Sequence, residues 1–207
     1  HGVLEGLTNY LNLGICPRVP ELGGVGASGD LVQQAHLGLG LIGEGFGTYK
    51  DQKDTMANIL KKAGLKPVEL GLRDGLAILN GTACMTGIGL LNIHHAYRLL
   101  DNAIAMGSVM TEILNSWDDH LSAKLNGAKL HPGQQEVSQR MRTHIEGSKL
   151  TRDRSSHHYA GKEEVNTEGV FTEIVQEHYS IRCIPQILGP GLDTIRNAEK
   201  VLLNELQ

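Results

Sequence analysis

Apolar residues recur every three to four positions over several stretches of this chain. Val3, Leu4, Leu7 and Leu11 predict a helix from Val3 to Leu13, closed by Gly14. Pro17 and Pro20 forbid regular helix and hold the next segment extended. Asp30 opens a second helix, which carries Leu31, Val32, Ala35, Leu37, Leu39 and Ile42 as far as Gly43 or Gly45. Phe46, Thr48 and Tyr49, within 45–53, predict a short hairpin, and 56–62 a further helix stopped by Gly64. Pro67 and flanking glycines make 65–72 extended.

The longest periodic run is 82–121. Leu90, Ile93, Tyr97, Leu100 and Ile104 form one stripe, and Met106, Met110, Ile113 and Trp117 continue it on a shifted face. A helix of roughly forty residues far exceeds the usual three or four turns, so it is expected to cross a bundle or an assembly. Pro132-Gly133 breaks the chain before a polar helix over 134–146. The charged, His-containing stretch 147–169 reads as a surface loop. Val170 to Val175 restores apolar character, and Pro185, Gly189, Pro190 and Gly191 punctuate before a final amphipathic helix over 192–206. The expected fold is mainly α, a long-helix bundle with a small loop region and little strand. A loop-rich part, 1–72, precedes a helical part, 73–207.

Composition narrows the function classes. Of 207 residues, 40% are hydrophobic and 20% charged, which describes one soluble globular domain or two small ones. Twenty-six glycines imply close backbone packing and many turns. A formal charge of -4 gives no basic surface for nucleic acid. Cys16, Cys84 and Cys183 form no CxxC pair, so neither a disulfide framework nor a zinc site is expected, and a reducing cytoplasm fits best. No run of about 20 apolar residues stands out as a membrane span. The chain opens at His1 inside one helical pattern and stops at Gln207 inside another, so both ends read as cut.

Candidate chemistry centres on Gly23-Gly24-Val25-Gly26-Ala27-Ser28-Gly29-Asp30-Leu31. A serine among small residues before a helix is, taken alone, a turn with a capping group. The same features also suit a self-made electrophile. If the chain bends so that the Gly29 nitrogen reaches the Ala27 carbonyl, a five-membered ring closes. Loss of water from the ring and from the Ser28 side chain then gives a methylidene-imidazolone. Glycine at 29 presents an unhindered nitrogen in so tight a bend, and a helix N-terminus favours electron flow toward the ring. Other patterns fall away: Gly38-Leu39-Gly40-Leu41-Ile42-Gly43 matches GxGxxG inside a helix with no preceding strand. The triad lacks the last glycine of GxSxG. His94-His95 and His157-His158 are adjacent pairs that cannot both face one metal, and His36 and His120 read as satisfied structural histidines.

The stretch Gly26-Ala27-Ser28-Gly29-Asp30-Leu31 resembles the cofactor-forming motif of the aromatic amino acid ammonia-lyases, which act on histidine, phenylalanine or tyrosine, and of the related aminomutases. Two more blocks, in the family's order and approximate spacing, extend the resemblance over nearly the whole chain. They are Leu79-Asn80-Gly81-Thr82 and Gln176-Glu177-His178-Tyr179-Ser180-Ile181-Arg182-Cys183. The feel is closest to a bacterial tyrosine ammonia-lyase, read here as an internal segment.

The resemblance implies a carbon–nitrogen lyase that forms 4-methylidene-imidazol-5-one from Ala27, Ser28 and Gly29, followed by Asp30, and uses no metal or nucleotide. It implies that Asn80 bonds near cofactor and substrate, that Tyr179 assists elimination, and that Arg182 binds the substrate carboxylate with Gln176 as a further contact. Taken singly, Asn80 also reads as a helix cap, Arg182 as a surface ion pair and Tyr179 as a packing residue. The family's tyrosine base lies upstream of His1 and further site residues beyond Gln207, so the segment alone is expected to be inactive. The resemblance also implies a homotetramer with active sites shared between subunits. Ile184-Pro185-Gln186-Ile187-Leu188-Gly189-Pro190 and Met85-Thr86-Gly87-Ile88 favour tyrosine or phenylalanine over histidine. Glu177 departs from the family's usual aspartate. A histidine ammonia-lyase giving urocanate, an aminomutase and a non-catalytic assembly protein are the alternatives.

Overall fold

The computed structural model describes residues 2–154, 156 and 176–207. His157-His158 and the apolar stretch 170–175 lie outside them, as does most of the expected loop. The chain divides into two compact units, His1–Gly89 and Leu90–Gln207. It is mainly helical, as the apolar spacing predicts.

In the first unit, helix α1 (Gly2–Leu13) leads through the short strand β1 (Cys16–Pro17) to helix α2 (Leu31–Leu41). The predicted hairpin is present as β2 (Phe46–Tyr49) and β3 (Gln52–Thr55), and β1 pairs antiparallel with β2 to make a three-stranded sheet. Lys50 and Asp51 turn the hairpin in left-handed conformations. Helix α3 (Met56–Ala63) starts where the Thr55 hydroxyl accepts from the Asn58 amide and stops at left-handed Gly64. Tyr10, Ile15, Leu41, Met56, Ile59 and Leu60 form the core. The GxGxxG-like stretch serves packing: a Cβ on Gly40 would meet Pro17 at 2.8 Å, and the Tyr10 hydroxyl donates to the Gly40 carbonyl. Burial pushes the Tyr10 phenol up to about 12.

Helix α4 (Asp74–Leu79), which the apolar spacing did not reveal, packs beside α2. Helix α5 (Ala83–Ile113) then begins in the first unit and runs into the second. Its 31 residues stop eight short of the expected end, because left-handed Asn115 turns the chain and Trp117 leaves the helix for the core. By length and composition alone the stretch Asp74–Ile113 would pass for a membrane helix. Its uncharged run from Gly75 to Tyr97 is interspersed with Gly, Thr, Asn and His, so it is no unbroken apolar span.

In the second unit, a 3-10 turn (Asp119–Leu121) and helix α6 (Ala123–Asn126) lead to α7 (Pro132–His144). Pro132 does not break the chain; it occupies the first turn of α7, where its missing N–H costs nothing. Helix α8 (Tyr179–Arg182) is followed by α9 (Ile184–Glu205). The proline-glycine stretch expected to precede the last helix lies within it: Pro185 is in the first turn and Pro190 inside. Gly189 is required by contact, since a Cβ there would lie 2.4 Å from the Gln134 nitrogen and one on Gly133 would lie 2.2 Å from the Gly189 carbonyl oxygen. Leu100, Ile104, Leu121, Val137, Met141, Ile145, Ile184 and Leu192 form this unit's core.

Candidate active site

The predicted site residues fall into two groups, one in each unit. Ala27, Ser28, Gly29, Asp30 and Asn80 belong to the first. Ser28 is exposed and left-handed (φ 62°), between left-handed Gly26 (φ 69°) and Gly29 (φ 103°). A serine adopts that region only where its surroundings enforce it. The enforcement comes from Gly81. The Asp30 amide donates to the Gly81 carbonyl at 2.8 Å, and the buried Gln34 side chain donates to the same oxygen. A Cβ on Gly29 would stand 2.4 Å from that oxygen and 2.9 Å from the Gly81 nitrogen. The triad and the Asn80-Gly81 motif, distant in sequence, are therefore in direct contact.

Asp30 precedes α2 but makes no side-chain cap there. Its carboxylate instead accepts from the Met85 amide at 2.7 Å, in the first turn of α5, where negative charge is favoured. One acidic residue thus ties the loop to a second helix, a link that no local spacing reveals. Asn80 is exposed at the C-terminus of α4, and its side-chain amide donates to the Leu76 carbonyl at 3.2 Å. It therefore closes α4, whereas its isolated sequence context suggested a cap at the start of the helix that follows.

Gln176, Tyr179 and Arg182 belong to the second unit. The segment is anchored through Glu177, whose side chain is 9% exposed. One Glu177 oxygen accepts from the Trp117 amide at 3.0 Å and from Arg152 at 3.4 Å. The Arg152 guanidinium also lies 4.3 Å from the centroid of the fully buried Trp117 ring, with Arg154 at 4.8 Å. The residue that departs from the family pattern is therefore the block's anchor.

Beyond that anchor the chemistry-bearing side chains are free. Tyr179 is 71% exposed, and the Arg182 guanidinium stacks over its ring at 4.5 Å. Among the described residues the Arg182 side chain makes no hydrogen bond or ion pair, so its planar fork could take a carboxylate. Arg182 and Gln176 line one cavity of about 510 Å³ together with Asp119, His120, Glu177 and Gln186. His120 is 2% exposed, and a backbone contact with Trp117 stands beside its ring, although neither ring nitrogen meets strict hydrogen-bond geometry; burial outweighs that contact and holds its pKa below the ordinary imidazole value.

Comparison with known proteins agrees with these motifs. The family model "Aromatic amino acid lyase" matches residues 1–207. A tyrosine 2,3-aminomutase of Chondromyces crocatus is 37% identical over 97% of this chain and 38% of its own length. A probable histidine ammonia-lyase of Thermoplasma volcanium is 35% identical over 99% of this chain and 38% of its own. Among solved structures, the phenylalanine aminomutase of Pantoea agglomerans superposes with a TM-score of 0.89 at 33% identity, over 99% of this chain and 39% of that one. The chain spans about two fifths of the length of the curated relatives it matches, and by motif, fold and sequence it belongs to the aromatic amino acid lyase family.

Proposed function

We propose that this chain carries the electrophile-forming loop and the carboxylate-binding residues of an enzyme that eliminates ammonia from an aromatic amino acid, with tyrosine favoured over phenylalanine. The observation that carries this reading is the bend at Ser28: a left-handed serine between two left-handed glycines, seated on Gly81 with no room for a Cβ at position 29. That cradle fits the ring expected from Ala27, Ser28 and Gly29, since the turn compresses the backbone and leaves the Gly29 nitrogen unshielded. Closing the ring joins the Gly29 nitrogen to the Ala27 carbonyl carbon and releases two waters, one of them from the Ser28 side chain. The resulting methylidene-imidazolone supplies an electron sink that makes the substrate's amino group a leaving group.

The chain's own side chains bind and orient. Arg182 holds the carboxylate by two parallel hydrogen bonds, Gln176 adds a polar contact from the same cavity, and Tyr179 presents its phenol to the reacting carbon. Asn80 shares a motif with Gly81, and its amide turns to cofactor and substrate by releasing the Leu76 carbonyl. Leu91, Leu99, Met106, Val109 and Ile113 are exposed along α5, which supports burial of that helix between subunits of a tetramer with shared sites. Exposed aliphatic side chains of this size ordinarily seek a partner surface.

Tyrosine is favoured by the block Ile184 to Pro190 and by the name of one relative, tyrosine 2,3-aminomutase. The aminomutases among the relatives support a second reading, in which ammonia returns to the neighbouring carbon. The deciding experiment is the mass of the peptide containing Ala27-Ser28-Gly29 from the folded full-length protein, with Ser28→Ala as control. A deficit of two waters in wild type only, with loss of activity in the control, is expected. An unmodified mass in the folded, assembled protein refutes the electrophile and favours an assembly protein. Product analysis then separates an unsaturated acid, urocanate and a β-amino acid.

A further inference from the structure

Arg182 sits on a helix too short to stand alone. Helix α8 is a single turn of four residues, and no side chain caps its start. A turn of that length closes too few backbone hydrogen bonds to offset the order it demands. The burial of Ile181 and Ile184 holds its C-terminal side. Its N-terminal side begins at Tyr179, on whose ring the Arg182 guanidinium rests. Fraying there would carry the guanidinium away, so the group that holds the residues just before Tyr179 also aims Arg182. Glu177 holds them, and Arg152 is its charged partner.

Arg152 serves three partners with one planar group. Its Nε donates to the Asn115 carbonyl at 2.5 Å, an Nη donates to Glu177 at 3.4 Å, and the guanidinium face covers the Trp117 ring. Its backbone is fastened to the same turn: the Arg152 amide donates to the Ser116 carbonyl at 2.9 Å, and the Arg152 carbonyl accepts from the Asp118 amide at 3.0 Å. That turn ends α5, where Asn115 is left-handed and its side chain donates to the Leu150 carbonyl at 2.6 Å. We propose that Arg152 is a positioning residue for Arg182: it locks Glu177, and with it the turn that carries Arg182, to the end of α5. The proposal rests on the reading of Arg182 as the carboxylate site. The role needs a guanidinium, because a lysine ammonium keeps the charge but has no planar fork or face to hold the three contacts together.

The test measures, in the full-length enzyme, kcat and KM for L-tyrosine or L-phenylalanine and inhibition by two truncated probes. 3-Phenylpropanoate lacks the ammonium, and phenethylamine lacks the carboxylate. Arg152→Lys is expected to weaken 3-phenylpropanoate and raise KM by about fivefold or more, with phenethylamine held within about twofold and kcat moved less than KM. Glu177→Gln still accepts from the Trp117 amide but loses its charge toward Arg152, and it is expected to give the same split. The double variant should cost no more than the larger single loss, since both changes open one link. Where Arg152→Lys folds poorly, the split in Glu177→Gln decides. Unchanged constants, equal losses for both probes, or additive losses in the double variant overturn the proposal. Arg182→Gln that leaves 3-phenylpropanoate unaffected overturns the carboxylate reading of Arg182 instead.

Discussion

The loop around Ser28 and the segment around Arg182 are held by opposite means. At Ser28 the backbone does the work: main-chain groups of Asp30 and Gly81 pair directly, and the absence of a side chain at Gly29 permits the approach. At Arg182 the backbone is a single helical turn, and a buried carboxylate with its arginine and tryptophan partners fixes it. The first arrangement fixes a backbone bend that leaves no room for a Cβ at position 29. The second leaves the exposed Tyr179 ring and the Arg182 guanidinium stacked on each other, which suits the carboxylate role proposed for Arg182. One region is thus sensitive to volume and the other to charge.

Substitutions should separate the two. Gly29→Ala is expected to have the largest effect: its methyl group collides with the Gly81 backbone at a φ that alanine resists, so the mass deficit at the triad disappears and activity with it. An unchanged peptide mass deficit would show that the loop tolerates volume. Glu177→Ala, which removes the acceptor of the Trp117 amide and one of the partners of Arg152, should cost about 2–3 kcal/mol in denaturant unfolding. It should also raise KM while the triad still matures. Loss of the mass deficit in that variant would make the regions one cooperative device. Asp30→Ala removes the acceptor for the Met85 amide and should cost about 1 kcal/mol, with slower gain of the mass deficit after refolding.

The smallest effect is a pH response. Because the folded-state pKa of His120 is depressed, the unfolded chain takes up a proton as pH falls through about 6.5 while the folded chain does not. The stabilising difference is therefore present above that pH and lost below it. His120→Asn should flatten the fall in Tm between about pH 6.5 and 5.5, by the equivalent of about 1 kcal/mol at most. An unaltered slope would assign the acid sensitivity to other groups.

What was legible in the chain follows the same division. The helices α1, α2 and α3, the hairpin and the start of α5 were readable because apolar spacing and glycine stops are local signals. The triad stood out by its resemblance to the family motif, since its small residues taken alone read as a capped turn. Helix α4 was missed because six residues cannot display an amphipathic period, and the end of α5 was misplaced because Trp117 continues the apolar spacing while belonging to the core. Pro190 was taken for a break although tertiary packing of α9 on α7 overrides the lost hydrogen bond. Asp30 to Met85 and Glu177 to Trp117 depend on contacts between distant residues, which no spacing within the chain encodes.

The tie between Asp30 and Met85 also sets a clock. The two residues are 55 positions apart, and Gly81, against which Gly29 is seated, is made almost as late. At about 5–20 residues per second a ribosome needs several seconds to travel that distance. During that interval the serine sits in a nascent chain that has nothing to bend against. Any reaction at Ser28 therefore begins only after α5 has emerged and started to coil, so maturation of the loop reports on folding of a helix synthesised well after it.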